Sequence, residues 1–261
     1  MTEIVSKKSE NLPRVCAQAN GCEMPLWKRT LDFLCILLTA PVWLPVMLLL
    51  GILIKIVSPG PALFRQQRIG YRGRQFTIIK FRTMKVNANT EVHQDHLTHL
   101  MDSDVPMKKL DAAGDPRLIP CGLLLRSLGL DELPQIFNVI RGDMSLIGPR
   151  PCVPYEYKNY SAHHRRRLEA VPGLTGLWQV SGKNRTTFEK MVELDIFYAE
   201  HKSLFLDLKI IAKTIPAIIL QTKDIAEISK TDEKPALTNP ATETRLVTTR
   251  PVQFKTNSNS N

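Results

Sequence analysis

Asp131 and Glu132 stand side by side in "SLGLDELPQIFNVIRGDMSLIGPRP" (residues 127–151), ahead of Pro134 and an apolar run. Adjacent acidic residues at a helix start have an ordinary use: they accept backbone amide protons and complement the helix dipole. They can also do chemistry. Successive helical residues point about 100° apart, so this pair cannot straddle one bond as two glycosidase carboxylates do. Their roles in any reaction must therefore differ. A helix N-terminus keeps a carboxyl group ionised, which suits Asp131 to be a nucleophile or a metal ligand rather than a proton donor. A carboxylate attacking a phosphoryl group is an anion approaching an anion, and it needs cations nearby. The sequence offers Arg126 five residues upstream, Arg141 and Arg150 downstream, Lys80 and Arg82 in "IKFRTM", and Lys183 and Arg185 in "SGKNR". Several lie beside Gly or Pro, where the backbone is constrained and a side chain can be aimed. Arginine adds a planar fork matched to phosphate oxygens. No GxxxxGKS or GxGxxG stretch occurs, which leaves P-loop and dinucleotide sites unsupported.

The chain that must position these groups has 261 residues, 43% of them hydrophobic, enough for one large domain or two small ones. Its net charge of +10 points to anionic partners: nucleic acid, lipid headgroups or phosphorylated small molecules. No RNP-like aromatic stretch or helix-turn-helix pattern supports nucleic acid. Five cysteines without a CxxC pair argue against a zinc module or a disulfide framework and indicate a reducing compartment. His93, His96 and His99 are spaced three apart, which spreads their rings around a helix. With Glu91, Asp95 and Asp102 nearby they read as a solvated polar segment.

From Phe33 to Ile54 the chain runs 22 residues without a charge, enough to span a hydrocarbon core about 30 Å thick. It starts too late and is too long for a cleavable signal peptide. Pro41 and Pro45 near its middle each remove a backbone donor. Lipid tolerates such a break only where other groups serve the freed carbonyls, and Thr39 is a candidate. Lys28 and Arg29 precede the segment, while Lys55, Arg65, Arg68, Arg72 and Arg74 follow it. Basic residues favour the cytoplasmic side, so both ends ask for the same side. The expectation is a re-entrant helix-break-helix over 26–57 that enters one leaflet and returns, breaking at Ala40 and Pro41.

Around it, residues 1–25 read as a flexible polar arm. Residues 62–84 carry two β-prone runs around "GYRG", which predicts a basic β-hairpin. Residues 85–118 form a polar excursion. "LDELPQIFNVIRGD" reads as a helix with Asp131 as its cap, Pro134 in its first turn and Gly142 as its stop. Residues 203–220 make an apolar helix, either in the core or in the headgroup layer. Residues 223–261 have a disordered composition. The fold class is α+β and mainly helical: a re-entrant membrane segment, a short β-hairpin, amphipathic interfacial helices and a cytoplasmic catalytic domain over 58–222.

In its order of segments the chain resembles the bacterial sugar transferases, the monotopic polyprenyl-phosphate hexose-1-phosphate transferases. The matching stretches are "KRTLDF" (28–33), "SPGPALFRQQRIGYRGRQFTIIKFRTM" (58–84), "RSLGLDELPQIFNVIRGDMSLIGPRP" (126–151), "PGLTGLWQVSGKNR" (172–185) and "ELDIFYAEHKSLFLDLKIIAKTI" (193–215). The resemblance implies transfer of a sugar-1-phosphate from a UDP-sugar to undecaprenyl phosphate, with Mg²⁺, releasing UMP. It implies Asp131 as nucleophile and metal ligand, a phosphosugar–enzyme intermediate, and Glu132 in support as base or in organising the metal. It makes Arg126 and Arg150 candidate phosphate binders, with Lys80, Arg82, Lys183 and Arg185 as further substrate-binding candidates. Where relatives often break the membrane segment at Ser-Pro, this chain has Ala40-Pro41; where some carry Arg, it has Lys183. The compact length resembles exopolysaccharide-initiating members at the cytoplasmic face of the inner membrane, with galactose or glucose as the favoured sugar. The same features also leave open an N-acetylhexosamine donor, a non-catalytic membrane-anchored anion-binding protein, and a homodimer.

Overall fold

The computed structural model of the chain describes residues 24–86, 117–182 and 185–214, with a few positions between 98 and 107 and at 216–217. The expectations for the arm before residue 24, for His93, His96 and His99, for Lys183 and for the tail over 223–261 lie outside the described residues.

Helix α1 (Leu26–Val57) is 32 residues long, apolar enough to cross a membrane, and carries Pro41 and Pro45 in its interior. The expected interruption is absent: the helix runs through both prolines. Polar side chains gather one turn below Pro41, where Thr39 Oγ1 donates to the Cys35 carbonyl (2.7 Å) and Trp43 Nε1 to that of Ile36 (3.0 Å). The carbonyls that the two prolines leave without an amide are those of Leu37 and Pro41, so these donors are second bonds to carbonyls the ladder already serves. Leu37, Leu38, Val42, Leu48, Leu49 and Ile56 point outward and are 65–76% exposed. A continuous apolar stripe of that kind marks a surface that meets something other than water.

The inward side of α1 is polar at its start. Lys28 is buried, and its Nζ donates to Asp207 (2.6 Å) and to the Tyr198 hydroxyl (2.8 Å), which in turn donates to the other Asp207 oxygen (2.7 Å). Asp32 accepts from Ser145 Oγ and the Leu146 amide, both at 3.0 Å. Arg29 donates to the carbonyls of Val139 and Ile140, placing a cation on the C-terminal end of another helix. At the far end of α1, the buried Arg82 donates to the carbonyls of Ser58 (2.8 Å) and Pro59 (2.6 Å), and Ile54 packs with Phe81, Ile119 and Leu125. Both ends of the apolar helix are thus held by one and the same body.

That body is mainly helical with two small sheets. The predicted hairpin is present as β1 (Leu63–Ile69) and β2 (Gln75–Phe81), antiparallel with Leu63 opposite Phe81 and Ile69 opposite Gln75. Next come α2 (Gly122–Ser127), α3 (Ile136–Arg141) and β3 (Ser145–Ile147), which pairs in parallel with β4 (Gly173–Thr175). Short helices α4 (Pro154–Lys158), α5 (Ala162–Arg165) and α6 (Leu177–Val180) lead to α7 (Phe188–His201). A last helix, α8, spans 204–214. It turns Asp207 and Ile210 inward and leaves Leu204, Phe205 and Leu208 exposed, so its outer face is apolar and its inner face carries the buried charge.

Lys28→Met leaves Asp207 buried without its cation. Breaking a buried pair from one side costs about 3–5 kcal/mol, whereas replacing both partners by apolar residues costs far less. Thermal melts in detergent are expected to show a large drop in Tm for Lys28→Met and recovery of at least half of it in Lys28→Met/Asp207→Leu. A double variant no more stable than the single one contradicts this account of the pair.

Candidate active site

The strand β2 delivers Lys80 near its end, with Arg82 and Thr83 immediately beyond. The Thr83 carbonyl accepts from the Ile119 amide (3.0 Å) and Lys85 N–H donates to the Arg117 carbonyl (2.7 Å), which brings the start of α2 alongside. Arg126 in the last turn of α2 then donates from Nε to Thr83 Oγ1 (2.9 Å). Gly129, at φ 69°, turns the chain into a 3₁₀ segment, Leu130–Gln135, which contains Asp131 and Glu132. A residue with a Cβ rarely takes that backbone conformation, which accounts for the glycine.

The cap expected at Asp131 is not formed there. Asp131 lies inside the 3₁₀ turn, the cap position is Gly129, and α3 begins only at Ile136. Proline disfavours the α region at the residue before it, here Leu133, and the chain takes the tighter path until it is past the proline. The stop at Gly142 is as expected, with φ 92°.

The two carboxylates differ in their surroundings. Asp131 is 9% exposed, whereas the Glu132 side chain is 43% exposed and its Oε1 lies 2.8 Å from Lys80 Nζ. Sequence separation hides that pair, because the partners are 52 residues apart. Asn138 holds them in register. It is fully buried in α3, donates from Nδ2 to the Thr77 carbonyl (2.7 Å) and accepts at Oδ1 from the Ile79 amide (3.1 Å). Its amide thereby serves the open edge of β2 as a neighbouring strand would. The sequence signal was an Asn amid the apolar residues of a short helix.

Arg150 sits on the "GPRP" loop, its side chain exposed. The loop is pressed onto the segment 171–176: a Cβ at Gly148 would lie 2.1 Å from the Val171 carbonyl oxygen, and one at Gly173 would lie 2.1 Å from the Gly148 nitrogen. Only glycine permits that approach. From beneath, the buried Arg167 donates to the Arg150 carbonyl (3.1 Å) and to Tyr160 (2.6 Å), and pairs with Asp195 and Glu156. Burial works against the charge of Arg167, yet Tyr160, Asp195 and Glu156 together outweigh it and raise its pKa. None of these four residues stands out in the sequence; their partners lie up to 28 positions away (167 to 195). Another unanticipated group is Arg68 in β1, which donates to the Pro151 carbonyl (3.2 Å) and so links the hairpin to the Arg150 loop. Arg141 lies at the far end of α3 beside Asp143 (3.8 Å), and Arg185 is exposed in the turn after Gly182. The structure therefore assembles Asp131, Glu132, Lys80 and Arg126 around the end of β2, with Arg82 holding the end of α1 just behind them.

A family model for the bacterial sugar transferases matches residues 24–221, most of the chain. The chain belongs to that family. Among relatives of these sugar transferases, a galactosyl transferase, CpsE, of Streptococcus agalactiae is 43% identical over 164 residues, 62% of this chain and 36% of its own length. The exopolysaccharide production protein ExoY of Rhizobium meliloti is 37% identical over 217 residues, covering 82% of this chain and 96% of that protein. A UDP-glucose:undecaprenyl-phosphate glucose-1-phosphate transferase of Caulobacter vibrioides is 39% identical over 216 residues, 80% of this chain and 73% of the relative. The chain thus spans little more than a third of the streptococcal protein but nearly all of the rhizobial one.

Lys80 and Arg82 stand two residues apart and should separate cleanly on substitution. The Lys80–Glu132 pair is partly solvated, and such pairs contribute about 0–1 kcal/mol to stability. Arg82 makes two charge-assisted hydrogen bonds in a buried setting, each worth roughly 1.5–3 kcal/mol. Lys80→Met is expected to cut sugar transfer at least tenfold with Tm almost unchanged, and Arg82→Met to lower Tm substantially. Melting curves and transfer rates measured on the same preparations check both; a large Tm loss in Lys80→Met would assign that residue to the fold instead.

Proposed function

We propose that this sugar transferase moves a hexose-1-phosphate, galactose or glucose, from its UDP-sugar to undecaprenyl phosphate at the cytoplasmic face of the bacterial inner membrane, opening exopolysaccharide assembly. The single observation that carries the reading is the unequal carboxylate pair: Asp131 enclosed beside the end of β2, and Glu132 half-open and paired with Lys80. The names of the Caulobacter and Streptococcus relatives, a glucose-1-phosphate transferase and a galactosyl transferase, favour those sugars.

In this reading an Asp131 oxygen attacks the β-phosphorus of the donor. A new O–P bond forms, the bond from that phosphorus to the bridging oxygen breaks, and UMP leaves with the electron pair. The sugar phosphate is then held on Asp131 as an acyl phosphate. A phosphate oxygen of the lipid attacks the same phosphorus and expels the Asp131 carboxylate, leaving the sugar on a lipid diphosphate. Lys80 and Arg126 offset the charge that gathers on the phosphoryl oxygens. Glu132, oriented by Lys80, assists at the attacking lipid phosphate. Among the described residues no three His, Cys, Asp or Glu side chains cluster, so a magnesium ion would be held by Asp131 together with phosphate oxygens and water, a ligand set that suits it. When bound, it would neutralise phosphate charge.

The donor is soluble and the acceptor lies in the bilayer, so the site must stand at the headgroup plane. A re-entrant α1 would put it there. The support is geometric: Lys28 at one end and Ser58 at the other are both clasped by the same domain. Along β2, Phe76 to Phe81 is roughly 17 Å. On α1, the residues that share clusters with them, Ile36 and Ile54, would be roughly 27 Å apart in a straight helix. A helix that bends back toward the domain accommodates both sets of contacts. The apolar outer faces of α1 and α8 would then meet lipid, and the basic charge would favour anionic headgroups.

Membranes containing the chain, Mg²⁺, undecaprenyl phosphate and a panel of UDP-sugars are expected to release UMP with UDP-galactose or UDP-glucose; silence with every donor overturns the proposal. Asp131→Asn is expected to abolish turnover while the protein stays with the membrane fraction, and near-normal turnover would remove Asp131 as nucleophile. Reporter tags at residues 1 and 261 are both expected to read cytoplasmic. A periplasmic signal from either one refutes the re-entrant path.

A further inference from the structure

Among the described residues three arginines are buried, and each meets the cost of desolvating a charge differently. Arg167 has Asp195 and Glu156 as counter-ions. Arg82 faces the carbonyls at the C-terminal end of α1, where the helix dipole is negative. Arg68 has neither. It is 7% exposed, one nitrogen donates to the Pro151 carbonyl (3.2 Å), another to Gln66 Oε1 (2.8 Å), and Nε is buried with no hydrogen-bond partner. No carboxylate lies within ion-pair distance of it among the described residues. Its nearest electrostatic neighbours include a second cation. Burial lowers the Arg68 pKa to about 10, the charge of Arg150 adds to the shift, and Glu156 and Glu132 oppose it.

Two guanidinium groups of like charge, one of them desolvated and without a counter-ion, are unfavourable as they stand. The arrangement becomes favourable when an anion joins it. The backbone shows why the two stay together: the Ile69 amide donates to the Cys152 carbonyl (2.8 Å), extending β1 onto the strand-like stretch after Arg150. Arg167 fixes the Arg150 carbonyl from the other side. The backbone on which both arginines stand is thus pinned by buried contacts, while the Arg150 side chain stays exposed.

We propose that Arg68 and Arg150 form an anion subsite beside Asp131 and Glu132, in which a phosphate oxygen of a substrate supplies the counter-charge that Arg68 lacks. Arg150, being exposed, contacts the phosphate. Arg68 is a positioning residue: it sets the Pro151 carbonyl, holds the Gln66 amide by its oxygen so that Nε2 remains as a donor, and adds its field. The proposal rests on the reading of this site as one that handles phosphate esters. The phosphate could be that of the nucleotide or that of the lipid carrier, since both present the same oxygens.

The test reads binding in the full-length chain in nanodiscs, so it needs no turnover and stands apart from the assignment of nucleophile or donor. Affinities for UMP and for undecaprenyl phosphate are measured in the wild type and in Arg68→Met, with the ligand-free Tm of each. A fall of at least tenfold for UMP, with lipid binding within twofold and Tm within a few degrees, assigns the subsite to the nucleotide phosphate. The converse pattern assigns it to the lipid phosphate. No loss for either ligand, or losses only in step with a collapsed ligand-free Tm, overturns the proposal. Should Arg68→Met fail to fold, the wild type decides through amide exchange: UMP or undecaprenyl phosphate is expected to slow exchange across 66–70 and 152–155, and no slowing with either overturns it.

Discussion

Lys28 and Arg167 each carry a charge into a place with almost no water, and the way each is neutralised decides how distant segments meet. An unpaired buried charge is far more expensive than a missing apolar contact, so such a group tolerates few arrangements of its neighbours. Lys28 brings the start of α1 to α7 and α8; Arg167 brings α4 and α7 under the Arg150 loop. These contacts specify which elements touch, while the four apolar clusters supply the bulk of the burial. The division is sensible for a protein whose outer faces are themselves apolar. When hydrophobic residues line both the inside and the outside, hydrophobicity alone cannot tell the chain which face to bury.

The carboxylate pair follows from the same economy of placement. A 3₁₀ turn between a left-handed glycine and a proline separates Asp131 from Glu132 in environment although they are adjacent in sequence. One is enclosed and the other is held at the rim by Lys80. The hairpin provides Lys80, and Asn138 provides the register between hairpin and turn. The site is therefore assembled from local turns whose relative placement depends on a handful of side-chain-to-backbone contacts.

Much of this was legible in the sequence where the signal is local. Composition marks α1, the turn "GYRG" between β-prone runs marks the hairpin, and Gly142 marks the end of α3. The cap assigned to Asp131 was wrong because Pro134 acts backward on the helix start, delaying it to Ile136. The expected interruption of α1 did not occur, and side-chain donors from Thr39 and Trp43 stand where it was placed. What the sequence could not display are pairings at long range: Lys80 with Glu132, Arg167 with Asp195, and the backbone contact of Gly148 with 171–176. A glycine in "IGPRP" or "PGLTG" announces tight backbone, but not that each is tight because of the other.

The Lys28–Asp207 contact joins residues 179 positions apart. At a synthesis rate of about 5–20 residues per second, on the order of 10–40 s separates the appearance of the lysine from that of its aspartate. During that interval the apolar helix is complete, and on the proposed membrane reading it could already enter the bilayer, while the ammonium group at its base would have only water and headgroups to satisfy it. In the proposed membrane-bound chain, insertion and closure would thus be separate events: the bilayer would receive the helix first, and the domain would claim its lower end only when α8 emerges.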